Sequence, residues 1–234
     1  MKTLVLGDIH GRTCWNEIID KESPDHIVFL GDYVSTHHNI SEDVQIKNCF
    51  DILDFKENNS DKVTLLRGNH DIQHLKYYWA ECCGYFRNVA DALYKERDRF
   101  LNDTQWIKID GNIIYSHAGV SQVWLDNSNL SLNDINNQEP TALFGFTPDS
   151  YSDYSGDSIT QPPTWIRPLT LIQCNIEGYT QIVGHTPVHH IVDVYENVKN
   201  HDHIWLCDCL PNSYLIIEND EFIVKTQNQQ EYDV

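Results

Sequence analysis

Short apolar runs, each closed by a small polar cluster, punctuate the first third of the chain. Lys2 to Leu6 closes with Gly7-Asp8, His26 to Leu30 with Gly31-Asp32, and Val63 to Leu66 with Arg67-Gly68-Asn69-His70. Short apolar runs bounded by turn residues predict buried strands that end in loops. Between them the spacing turns helical. Ser41-Glu42 opens a segment to Phe55 that carries Val44, Ile46, Phe50, Ile52 and Leu53 at helical intervals. Strands alternating with helices predict βαβ units and a largely parallel sheet. Ligands of such sheets sit beyond the carboxyl ends of the strands, which is where these polar clusters fall.

Residues 71 to 102 carry a mostly helical pattern broken near Gly84. Trp106 to Ile109 and Ile113 to Ser116 flank Asp110-Gly111-Asn112, a hairpin signal, and the second strand runs into His117-Ala118-Gly119. From about Trp124 to Pro163 the chain is rich in Asn, Ser and Asp, and the pattern predicts a long irregular excursion of lid type, with outer bounds near 124 and 175. Strands are expected again at Thr180 to Val183, Ile204 to Cys209, Tyr214 to Ile217 and Phe222 to Lys225, followed by a polar, frayed tail from Gln227. The sequence has no internal repeat.

At 234 residues the chain fits one domain, 1–234, and 41% hydrophobic residues suffice for its core. No stretch approaches the ~20 apolar residues that cross a bilayer. Met1 to Gly7 is too short an apolar run for a signal peptide, so a cytoplasmic protein with no membrane partner is expected. The seven cysteines include the adjacent pair Cys82-Cys83 and the pair Cys207 and Cys209, without the spacing of a structural zinc site, and read as free thiols. A net charge of −19 repels a nucleic-acid backbone and argues against a duplex partner. It also means that an anionic substrate needs local positive charge, which bound divalent cations supply.

Five strand-end clusters hold metal-ligand residue types beside glycine: Gly7-Asp8-Ile9-His10-Gly11, Gly31-Asp32-Tyr33, Gly68-Asn69-His70-Asp71, Ser116-His117-Ala118-Gly119 and Gly184-His185-Thr186. Each alone is a weak signal; five in order, each after an expected strand, predict a metal site. Their O and N donors suit Mn, Fe or Zn rather than a soft-metal thiolate site.

This series resembles the calcineurin-like metallophosphoesterase superfamily, whose motifs run GD-x-H, GD-x, GNH[DE], a His-containing loop and GH-x. The resemblance spans nearly the whole chain. It implies an α/β fold, a β-sandwich of mixed sheets flanked by helices in four αββα layers, with the site at one rim. It implies two divalent metal ions, Mn first and Fe, Zn, Ni, Co or Mg as alternatives: Asp8 and His10 on the first metal, Asp32 bridging, and Asn69, His117 and His185 on the second. Pro187 stands where many members carry a further His, so fewer protein ligands are expected on the first metal, and His189 and His190 are expected to be structural or surface residues. In a two-metal site a hydroxide between the ions attacks phosphorus in line with the leaving oxygen. His70, beside Asn69, is the expected acid for the leaving group, with orientation of the water as its other role.

Within the superfamily, the chain is most similar to compact bacterial and viral protein serine/threonine phosphatases. Trp165-Ile166-Arg167-Pro168 resembles their phosphate-gripping element, which makes Arg167 the expected clamp, and Arg67 fits the same branch with a buried structural role as its alternative. Arg12 reads as a helix-start surface residue. One stretch departs. The branch continues its second motif as GDYVDRG, whereas this chain has Gly31-Asp32-Tyr33-Val34-Ser35-Thr36-His37-His38, with Ser35 and Thr36 in place of an Asp that orients the catalytic His and an Arg that contacts phosphate. The resemblance therefore implies a phosphomonoesterase acting on a phosphorylated protein or small phosphate ester. A dinucleoside polyphosphate or nucleotide hydrolase is the alternative, prompted by His117-Ala118-Gly119 followed by Trp124-Leu125, and a phosphodiesterase or a non-enzymatic metal-binding scaffold stand behind it.

Overall fold

The computed structural model describes residues 1–36, 39–147, 158–195 and 202–227. Two sheets pack face to face. The first has six strands in the order β11-β10-β1-β2-β3-β4, built from β1 (Lys2–Leu6), β2 (His26–Phe29), β3 (Val63–Leu66), β4 (Thr104–Gln105), β10 (Ser213–Glu218) and β11 (Glu221–Thr226). The second, of order β5-β6-β7-β9-β8, is built from β5 (Ile107–Asp110), β6 (Ile113–Ser116), β7 (Thr180–Pro187), β8 (Val192–Asp193) and β9 (Ile204–Asp208).

Alternation along β1 explains the layering. Val5 joins Val28, Leu30, Leu66, Ile182, Cys207 and Leu215 in the apolar layer between the sheets. Leu4 and Leu6 face the other way, into a larger cluster with residues of α1 (Trp15–Glu22), α2 (Glu42–Asn58), α4 (Arg87–Lys95) and α5 (Arg97–Asp103). A strand buried on both faces carries a continuous apolar run, which is why β1 to β3 read so clearly as strands. The outer face of the second sheet buries Val183, Ile204 and Leu206 against Ile166 and Leu171, the latter on the single turn α7 (Pro168–Leu171). Helix, sheet, sheet and helix make the four layers expected. The sheets are mixed: β1 to β4 run parallel, while β10 pairs antiparallel with β1 and β11 with β10.

The described parts of the excursion after β6 are anchored rather than loose. It opens with α6 (Gln122–Ser128), capped by Ser121, and passes through short 3-10 turns at Leu132–Asn137 and Ala142–Phe144. Trp124, Ile135 and Phe144 are buried in the large cluster, and Phe144 stacks on Trp106 with centroids 3.7 Å apart. Residues 148–157 of the excursion, and His37 and His38, lie outside the described residues.

Candidate metal centre

Parallel pairing brings the carboxyl ends of β1, β2 and β3, and of β6, β7 and β9, to one rim. The expected ligands emerge there. His10, Asp32 and His185 have positive φ (47°, 50° and 61°), a conformation that L-residues adopt at a cost and that clusters at functional sites. The β7–β9 register shifts between Val183 and Pro187, a bulge that re-aims His185. The approach is close. A Cβ at Gly184 would lie 2.1 Å from Asp8 Oδ1, and one at Gly68 2.0 Å from Asp32 Oδ1, so both neighbours must be glycine.

Backbone groups hold the histidines in one orientation. His117 Nδ1 lies 2.9 Å from Leu30 O, His10 Nδ1 3.1 Å from Val34 O, and His185 bonds the Trp165 backbone. A ring N–H donated to a carbonyl leaves Nε2 with a lone pair, the arrangement typical of metal-ligating histidine. His117 Nε2 then faces Asn69 Oδ1 at 2.9 Å and Asp32 Oδ2 at 3.5 Å. Burial pushes the His117 pKa down to about 3, so the ring is neutral, and with its one proton given to Leu30 O its Nε2 lone pair joins the acceptors Asn69 Oδ1 and Asp32 Oδ2. Acceptors converging in this way suit a cation. Among the described residues, the buried Nε2 of His185 has no hydrogen-bond partner.

The carboxylates agree. Burial, then the charge of Asp208, raises the Asp8 pKa well above the usual range, and burial, then Asp8 and Asp71, raises that of Asp32. A bound cation reverses that penalty. Ligand atoms of Asp8, Asp32 and His117 lie within 4.8 Å of one another, and so do those of Asp8, His10 and Asp208. The two sets share Asp8, and the donor set fits divalent ions at two adjoining positions.

Asp208 ends β9 and is 8% exposed. No glycine flanks it and it lies between Cys207 and Cys209, so its mark in the sequence is only a carboxylate closing an apolar run. Asp71 is a further residue whose role the motif pattern does not give. Its carboxylate accepts N–H groups of Asp32, Tyr33 and Gly68 at 2.8 to 2.9 Å, tying the second and third clusters together.

The arginines part company. Arg167 caps α7 and its Nη1 donates to His185 O (2.9 Å) and Thr186 Oγ1 (3.2 Å), beside the metal pocket. Arg67 donates to Thr104 Oγ1, Leu101 O and Thr104 O at 2.7 to 2.9 Å and lies over the Trp106 ring, contacts that fit the buried structural alternative. Arg12 comes nearer the centre than a surface residue would, since its charge acts on Asp8 and Asp208. His189 and His190 are exposed, as expected.

His70 follows Asn69 in α3 (Asn69–His74), and its backbone N–H donates to Asp32 Oδ1 at 3.0 Å. Its ring stands edge-on to that of His10, centroids 5.7 Å apart. Ser35, where a carboxylate was missed, donates its hydroxyl to Gly84 O at 2.7 Å.

A family model for calcineurin-like phosphoesterases matches residues 1–189. The fold is shared with a cold-active protein-tyrosine phosphatase of a psychrophilic Shewanella species (TM-score 0.63, 18% identity, 96% of this chain and 77% of that one). It is shared too with a protein serine/threonine phosphatase from Saccharomyces cerevisiae (0.57, 14%, 100% and 82%) and a metallophosphoesterase from Sphaerobacter thermophilus (0.51, 14%, 97% and 89%). No curated protein matches the chain.

Proposed function

The chain belongs to the calcineurin-like phosphoesterase family and is a hydrolytic phosphoesterase, and from that premise we propose that it is a phosphomonoesterase with two metal ions, Mn²⁺ foremost, working in the cytoplasm on phosphorylated protein or a small phosphate ester. The observation that carries this is the set of three histidines, each with one ring nitrogen tied to the backbone. Asp8, His10 and Asp32 would hold one ion, with Asp208 alongside; Asp32, Asn69, His117 and His185 would hold the other. Bound there, the ions supply charge that polarises a phosphoryl oxygen and acidifies a water molecule.

The chain's own residues do the rest. Backbone N–H groups of His70 and His185 hold the Asp32 and Asp8 carboxylates in place. Arg167, fixed by His185 O and Thr186, supports the reading of a guanidinium beside the substrate's phosphoryl group. His70 supplies a ring N–H to the reacting group.

Chelator-stripped protein should be inactive on p-nitrophenyl phosphate and regain turnover with added Mn²⁺, and Asp32→Asn should abolish it. Turnover that survives both chelation and Asp32→Asn would sink the metal mechanism.

A further inference from the structure

Gln73, one turn beyond His70 in α3 and 2% exposed, meets the His70 ring at Nδ1, its Nε2 2.9 Å away. The orientation of this amide is fixed from two sides. Its Oε1 accepts the Cys82 N–H at 3.2 Å, and its Nε2 donates to Cys83 O at 3.0 Å. Reversing it would set donor against donor at Cys82 and acceptor against acceptor at Cys83. The second N–H of the amide is therefore aimed at His70 Nδ1, which has to accept it.

A thiol stands on the same edge. Cys82 Sγ lies 3.8 Å from His70 Nδ1 and receives the Asn69 amide at 3.7 Å. Ser35 offers no carboxylate here, its hydroxyl being donated to Gly84 O. A Cβ at Gly84 would come within 3.7 Å of His70 Nδ1, so the segment 82–84 closes over this edge of the ring.

We infer that Gln73 is a positioning residue that fixes His70 as the Nε2–H tautomer, a hydrogen-bond donor that keeps its proton, and that the site therefore selects phosphates with weakly basic leaving oxygens: aryl phosphates and phosphoanhydrides rather than alkyl phosphates. This rests on the phosphoesterase reading above. In the step, water's oxygen forms the new bond to phosphorus as the bond to the leaving oxygen breaks, and the electron pair stays on that oxygen. His70 Nε2–H steadies the oxygen by hydrogen bonding. Transferring the proton would leave an imidazolate, so the departing phenolate or phosphate is protonated by solvent, and the proton of the attacking water also goes to solvent. This role differs from both roles expected for His70, protonating the leaving group and orienting the water.

Two measurements test it. In Zn²⁺-loaded protein labelled with ¹⁵N-histidine, the His70 Nδ1 resonance should be of the unprotonated type and Nε2 of the protonated type. In Mn²⁺-loaded protein, kcat/KM across a series of substituted phenyl phosphates and an alkyl phosphate should fall steeply as leaving-group basicity rises. Gln73→Glu supplies an acceptor for an Nδ1 proton, making the ring a proton donor; it should flatten that slope and raise the alkyl-to-aryl ratio on the order of 10²-fold. A protonated Nδ1, or a shallow slope in the unmodified protein, overturns the inference even if the variant fails to fold. Absence of metal-dependent turnover on every phosphate would instead overturn the phosphoesterase reading, with the ring still reporting its tautomer.

Discussion

The Asp208 carboxylate shares a 4.8 Å neighbourhood with ligand atoms of Asp8 and His10, and burial raises its pKa to about 6. Arg12 and Arg167 pull that value down, yet Asp208 has no ion-pair partner within 4 Å among the described residues. Two neighbouring carboxylates in such a place repel each other unless a cation lies between them. Asp208→Asn should weaken one of two Mn²⁺ sites by about 10-fold or more, the scale on which groups around a bound metal act. The other site should be unchanged. Titration followed by calorimetry and by Mn²⁺ EPR would read both, and two sites of unaltered affinity would remove Asp208 from the ligand set. The metal-free variant should melt no lower than the parent, because the substitution removes repulsion. That response separates a ligand from a structural residue.

At the scale of elements, the same chemistry can brace a fold instead of gripping a substrate. Arg67 joins the end of β3 to α5 and β4 through Leu101 and Thr104. Arg67→Ala leaves a buried carbonyl at Thr104 and a half-buried one at Leu101 without their donor and should cost about 3 kcal/mol of stability. Urea unfolding would show the lower midpoint, with KM unchanged below the transition; a raised KM at full stability would return Arg67 to the phosphate. Sequence alone placed β1, β2 and β3 well, because strands buried on both faces show as uninterrupted apolar runs. Asp8, Asp32, Asn69 and His185 stand out in the sequence for a related reason: each comes at the end of such a run and directly follows a glycine that close approach demands, while His10 precedes Gly11 and His117 lies two residues before Gly119. The two-residue β8 was not legible, since pairing with Leu206 and Trp205 defines it rather than any pattern of its own. Nor was the Gln73 amide. Its role depends on Cys82 and Cys83, nine and ten residues away in an irregular segment that no periodicity positions.

Across the whole molecule, 35 acidic residues against 16 basic ones set a field that disfavours the anionic substrates the site is proposed to bind. In the pocket, burial and the neighbouring carboxylates Asp208 and Asp71 raise the energy of the buried pair Asp8 and Asp32. Salt and metal act on these two parts differently. Sodium chloride screens the exposed charges within about 10 Å at 0.1 M and leaves buried ones largely unscreened. A divalent ion enters the pocket, binds the folded chain and not the unfolded one, and stabilises by about 2.7 kcal/mol at 100 times its Kd. For a chain of this size that is a rise in Tm of roughly 5–10 °C. Melting of chelator-stripped protein should therefore respond weakly to sodium chloride and strongly to Mn²⁺ at matched ionic strength, and Asp32→Asn should erase most of the Mn²⁺ increment while keeping the salt increment. Equal shifts from both salts would mean that the cation acts only on the acidic surface. The rim where six strands converge would then hold its carboxylates by protonation rather than by metal.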